Sequence, residues 1–143
     1  MPTSVQTITP DNFFPPIGPY SHMTVAGPFI HISGTPGVDP ATGQMAGLDV
    51  ASQTRQIIEN FRTLLASQSA GFEHVMHIQI FMKDVGDFAA MNQVYGDTIG
   101  AHRPARTVIQ VADLPKAGAL LTMNLQAITP DALTRSTPGG RQP

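Results

Sequence analysis

The chain reads as an α+β fold, and three features of its 143 residues predict it. Segments 75–82 and 121–128 alternate with the two-residue period of a strand, one face of each strongly apolar. Segment 49–68 places apolar residues at helical spacing. The segments run strand, hairpin, helix, strand, helix, strand, strand, and two amphipathic helices can cover only one face of such a sheet.

Residues 1–10 alternate weakly around Val5 and Ile8, which predicts a first strand. Phe13-Phe14-Pro15-Pro16-Ile17-Gly18-Pro19-Tyr20 has loop chemistry, with prolines that fix φ and a glycine that frees it. Met23–Val25 and Phe29–Ser33 form a hairpin through Ala26-Gly27-Pro28. Asp39-Pro40-Ala41-Thr42-Gly43 is a tight turn within a longer loop. In the helix 49–68, Val50, Thr54, Ile57, Ile58, Phe61, Leu64 and Leu65 make one stripe. Asp49 is the expected N-cap and Gly71 the stop, and Gln53, Arg55, Gln56, Glu59 and Arg62 are expected in solvent.

Strand 75–82 sets His77, Gln79 and Phe81 against Met76, Ile78, Ile80 and Met82. Asp87 is placed to cap a second helix running to about Ile99, with Phe88, Met91, Val94 and Tyr95 as its buried side. Thr107–Val111 and Leu121–Ile128 close the sheet, the latter with Leu121, Met123, Leu125 and Ala127 on one side. The sheet keeps apolar character on its second face, which self-association would cover. Residues 1–128 form one domain, and 129–143, poor in apolar residues, read as a flexible tail.

A formal charge of −2, a pI near 6.1 and two widely separated lysines, Lys83 and Lys116, argue against nucleic acid as a partner. The absence of cysteine removes disulfides, thiolate nucleophiles and thiolate metal ligands. No signal-peptide pattern or membrane-length apolar run is present, so a soluble cytoplasmic protein is expected. His22, His31, His74, His77 and His102 show no metal-ligand spacing, so no metal is expected. Ser33-Gly34-Thr35 lacks a nucleophile elbow and reads as a strand end where something approaches the backbone. No phosphate-binding glycine pattern follows it. In His102-Arg103-Pro104-Ala105-Arg106-Thr107-Val108, an arginine stands where a loop enters a β-branched run. Its planar fork suits a carboxylate, in a chain with only 13% charged residues.

Several short segments occur together in a telling order. They are Ile17-Gly18-Pro19-Tyr20-Ser21, Ile32-Ser33-Gly34, Asp39-Pro40-Ala41-Thr42-Gly43, Gln53-Thr54-Arg55-Gln56 and Glu59-Asn60. Asp87-Phe88-Ala89-Ala90-Met91-Asn92, Tyr95, Arg103-Pro104-Ala105-Arg106 and Leu114-Pro115-Lys116 complete the set. Over 17–128 this resembles the RidA (YjgF-type) family of reactive-intermediate imine/enamine deaminases. The resemblance implies a chorismate-mutase-like fold, a single-layer mixed sheet with two helices on one face, and a homotrimer with pockets between subunits. It implies hydrolysis of small imine or enamine carboxylates to 2-keto acids and ammonia, with no cofactor. It implies that Arg106 grips the substrate carboxylate, Tyr20 lines the pocket, and Gly34, Thr107 and Val108 complete the cradle.

The chain departs from that family at three positions. Val108 stands where members carry a cysteine, which this hydrolysis does not need. His22 stands where members carry glutamine and would bring a titratable group near the site, or would simply be a packed histidine. Asn124 is read at the position of a water-handling glutamate in a Glu-Ile-Glu-Ala segment, here Asn124-Leu125-Gln126-Ala127. Asparagine holds a water but does not take its proton. Two readings therefore stand: a deaminase using Arg106, Tyr20 and Asn124, or a non-deaminating member that binds a small carboxylate or catalyses a different step.

Overall fold

The structure, a computed structural model, describes residues 4–135. A six-stranded sheet runs in the order β1 (Gln6–Ile8), β2 (Met23–Ala26), β3 (Phe29–Pro36), β8 (Leu121–Ile128), β6 (Val75–Met82), β7 (Ala105–Gln110). Every pairing is antiparallel except β6 with β7, which makes the sheet mixed. Two further strands, β4 (Val38–Asp39) and β5 (Gln44–Met45), form a separate small hairpin after β3.

Helix α1 (Val50–Ala66) begins where the Asp49 carboxylate accepts from the Ser52 N–H at 2.7 Å. Its stripe of Ile57, Ile58, Phe61, Leu64 and Leu65 is fully buried. It packs with Ile30 and Ile32 of β3, Ile78, Ile80 and Met82 of β6, and Leu121, Met123 and Leu125 of β8 in one core. Gly37 lets α1 approach closely, because a Cβ there would lie 2.7 Å from the Gln53 carbonyl oxygen. Helix α2 (Phe88–Ile99) connects β6 to β7 and adds Met91, Tyr95 and Ile99 to the same core. No helix among the described residues is long and apolar enough to cross a membrane.

Several expectations change. Gln53 is fully buried rather than solvated, while Phe88 is 38% exposed rather than core. Helix α1 stops at Ala66, and Gly71 instead opens a short 3₁₀ turn, Phe72–His74. Asp87 makes no side-chain cap; Asp84 caps the 3₁₀ turn Val85–Asp87 that feeds α2. A register shift between Val75 and His77 turns Met76 out to solvent, against the simple alternation. Strand β7 begins at Ala105, so Arg106 lies inside the strand instead of just before it. Pro130–Arg135 forms a short helix, α3, where composition suggested a flexible tail; 136–143 lie outside the described residues.

The strongly apolar faces of β6 and β8 lie under α1 and α2 of the same chain. The open face is mixed: Thr122, Asn124 and Gln126 of β8, His77 and Gln79 of β6 and Thr107 of β7 occupy its middle, with Phe81 beside the exposed Ile109 at one end and the exposed Phe29 beside Ile128 at the other. It is not the continuous apolar surface that the alternation suggested.

Candidate functional site

Two concavities hold the residues singled out in the sequence. The larger, about 430 Å³, is walled by Phe14, Ile17, Tyr20, Val38, Leu114 and Pro115, with Gly34, Lys116 and Thr122 among its other lining residues. The loop before β2 shapes one wall: the Tyr20 N–H donates to the Gly18 carbonyl at 2.8 Å, and the Tyr20 hydroxyl accepts from the Ile17 N–H at 3.3 Å. Ser33 ties that loop to β3, its hydroxyl donating to the Ser21 carbonyl at 2.7 Å. The hydroxyl is thus a structural tether.

The opposite wall, 114–120, is anchored by Gln53. Its amide donates to the Gly47 and Gly118 carbonyls at 2.9 Å each and accepts from the Leu120 N–H at 2.8 Å. The floor is where β3 meets β8. A Cβ at Gly34 would stand 3.6 Å from the Thr122 hydroxyl. The cavity lining includes Thr122 but not Asn124. Asn124 is one step further along the same face, opposite Gln79 of β6. The residue facing the cavity is therefore Thr122, because a shift of two along a strand preserves the face and changes only the position along it.

The smaller concavity, about 270 Å³, lies at the β7 edge and is lined by Asn92, Tyr95, Gly96, Arg103, Pro104 and Arg106. Arg106 aligns with Ile78 of β6 and so points to the helix side of the sheet. Its guanidinium donates to Asn92 Oδ1 at 2.8 Å and lies 4.8 Å over the Tyr95 ring and 5.7 Å from the Phe88 ring. Phe88, Asn92, Tyr95 and Gly96 fall at helical spacing on one stripe of α2, which serves as a platform for the arginine. The Tyr95 hydroxyl is buried with no hydrogen-bond partner among the described residues. Burial pushes its pKa up, opposed by the nearby positive charges of Arg106 and Arg103.

The remaining predicted residues disperse. Thr107, next to Arg106, points to the open face and bonds to His77 Nε2 at 3.0 Å. Val108 packs against the core. His22 is 2% exposed, set edge-on against the stacked rings of Phe13 and Phe14, with Nε2 donating to the Phe14 carbonyl at 2.7 Å. Burial pushes its pKa down, the carbonyl bond opposing, so the ring is neutral near pH 7. It is a packed core histidine and lines neither cavity.

Within one chain, then, Tyr20 and Gly34 share one site and Arg106 occupies another. Strands β8 and β6 separate β3 from β7, about 14 Å of sheet. Lys116, Thr122, Asn92 and Arg103 line these sites without having been singled out as site residues. The segments Leu114-Pro115-Lys116, Asp87-Phe88-Ala89-Ala90-Met91-Asn92 and Arg103-Pro104-Ala105-Arg106 contain three of them. Among the described residues, no cluster of three or more His, Cys, Asp or Glu is placed to hold a metal.

A family model described as Endoribonuclease L-PSP matches residues 11–129. A RutC family protein of Pyrococcus horikoshii is 39% identical, covering 78% of this chain and 88% of that protein. The human 2-iminobutanoate/2-iminopropanoate deaminase is 34% identical, covering 73% of this chain and 76% of the enzyme. The crystal structure of the YjgF gene product of E. coli superimposes with a TM-score of 0.79 at 32% identity, covering 86% of this chain and 98% of that one.

Proposed function

Because the chain belongs to the YjgF/RidA family, whose model is described as Endoribonuclease L-PSP, we propose that it hydrolyses a small imine or enamine carboxylate to a 2-keto acid and ammonia. The observation that carries this is Arg106. Its fork is held by Asn92 and stacked on Tyr95, and it has no carboxylate within ion-pair distance among the described residues. A fixed guanidinium facing a cavity is a receptor for a ligand carboxylate. The net charge of −2, with no basic run, offers no phosphate track for RNA.

In this reading a second copy of the chain brings its Tyr20, Gly34 and Thr122 against Arg106, in the homotrimer that the family resemblance implies. The ligand carboxylate pairs with Arg106, and the apolar wall of the larger cavity receives the rest of the molecule. Water adds to the carbon of the protonated imine and gives a carbinolamine. Its nitrogen takes up the proton released by the water, the C–N bond breaks, and ammonia leaves as the C=O forms. The Thr122 hydroxyl positions the water, which no cofactor assists.

The lining of the larger cavity includes no carboxylate among the described residues. That observation favours the second reading, a carboxylate-binding member that does not deaminate. Loss of a general base typically removes ~10²–10⁴-fold of rate, and imine hydrolysis starts from a low barrier. Ammonia release from a freshly generated 2-aminoacrylate-type substrate separates the two readings. Turnover above the uncatalysed rate supports the deaminase; carboxylate binding without turnover supports the binder.

A further inference from the structure

The smaller concavity contains two guanidinium groups, one more than a single carboxylate needs. Arg103 lies over Gly96, its Nη1 3.7 Å from where a Cβ on that residue would stand. Arg106 lies 4.8 Å over the ring of Tyr95, the adjacent residue of α2. The two cations therefore sit over neighbouring residues of one helix.

Neither arginine has an acidic partner within 4.0 Å among the described residues. Asp97, next along the helix, accepts from Gln93 at 3.1 and 3.3 Å instead. Two unneutralised cations lining one cavity repel each other, and an anion bridging them relieves that repulsion. The cavity also includes Tyr95, 6% exposed, its hydroxyl without a partner among the described residues. This wall is built for more negative charge than one carboxylate supplies.

We propose that Arg103 is a specificity-determining residue that binds a second carboxylate, so that the preferred ligands are small 2-imino dicarboxylates and their 2-keto dicarboxylate products. The inference rests on the reading of Arg106 as the anchor for the first carboxylate. A dicarboxylate offers both arginines a planar partner matched to their forks.

Calorimetric titration at low salt and near-neutral pH tests this without relying on turnover. The probes are 2-oxobutanoate, 2-oxoglutarate and inorganic phosphate, against the parent and Arg103→Ala. The parent should bind 2-oxoglutarate about tenfold more tightly than 2-oxobutanoate. Arg103→Ala should erase that difference, weakening 2-oxoglutarate about tenfold more than 2-oxobutanoate. Equal affinities in the parent, a preference that survives Arg103→Ala, loss of both keto acids together, or phosphate binding as tightly as 2-oxoglutarate would overturn the proposal. A dicarboxylate preference in a protein that hydrolyses no imine would leave this inference standing and remove the deaminase reading. Turnover of monocarboxylate imines with no such preference would do the reverse.

Discussion

Arg106 donates to the side-chain oxygen of Asn92 at 2.8 Å, across from strand β7 to helix α2. That bond, with the Tyr95 ring beneath, sets the direction of the guanidinium fork. Arg106→Ala should abolish binding of 2-keto acid products, a loss of ~2–5 kcal/mol for removing one partner of a desolvated charge pair. Arg106→Lys should restore little, since an ammonium has no fork. Asn92→Ala should weaken binding less, because the arginine remains but is no longer held. Unchanged affinity in Arg106→Ala, measured by calorimetry, would show the anchor to be elsewhere.

The position that handles water is decided by Thr122 and Asn124. Thr122 lines the larger cavity beside Gly34, and Asn124 does not. Thr122→Glu should raise ammonia release, by up to the ~10²-fold that a positioned base contributes, while Asn124→Glu should leave it near the parent value. The added charge should also raise KM for an anionic substrate. The opposite pattern, with the gain in Asn124→Glu alone, would place the hydrolytic water beside Asn124.

What the sequence revealed and what it hid divide along physical lines. The buried face of β8 and the stripe of α1 follow from period alone, and both are found in the core. Period also set the limit. Thr122 and Asn124 share a face, so alternation could not choose between them. Gln53 reads as lying off the stripe, yet it stands four residues before Ile57 and is buried; its three side-chain bonds become visible only with the 114–120 loop in place. The separation of Arg106 from Tyr20 is a property of strand order, which no local pattern encodes.

Gln53 therefore holds the wall of a cavity that it does not itself line. Gln53→Met would orphan the Gly47 and Gly118 carbonyls and the Leu120 N–H, at about 1–3 kcal/mol for each group left buried. Gln53→Glu should be worse, since a carboxylate would face two carbonyls. Denaturant unfolding should rank the parent above Gln53→Met, and that above Gln53→Glu. Equal midpoints would mean that the loop holds its shape without this side chain.

His22 makes stability depend on pH. Burial holds its folded pKa below the ordinary 6.5, so the unfolded chain binds the proton more readily. Its contribution is fully present above about pH 6.5 and is lost as pH falls through the lower folded value. Thermal unfolding from pH 7.5 down to pH 5 should show a falling Tm. His22→Gln, which keeps a donor for the Phe14 carbonyl, should flatten that slope. A parent Tm that does not change over this window would contradict the burial of a neutral ring.

A site shared between copies predicts complementation. Arg106→Ala spoils the smaller concavity and leaves the larger intact. Gly34→Val fills the floor of the larger cavity, where even a Cβ would come within 3.6 Å of the Thr122 hydroxyl, and leaves Arg106 intact. Each variant alone should be inactive in imine hydrolysis. When the two are unfolded together in equal amounts and refolded, a head-to-tail ring brings Arg106 of one copy against Gly34 of the next, and about a quarter of the sites should have both native halves. Activity should return to about that fraction of the parent. If each chain carried a complete site of its own, every site would contain one lesion and mixing would restore nothing.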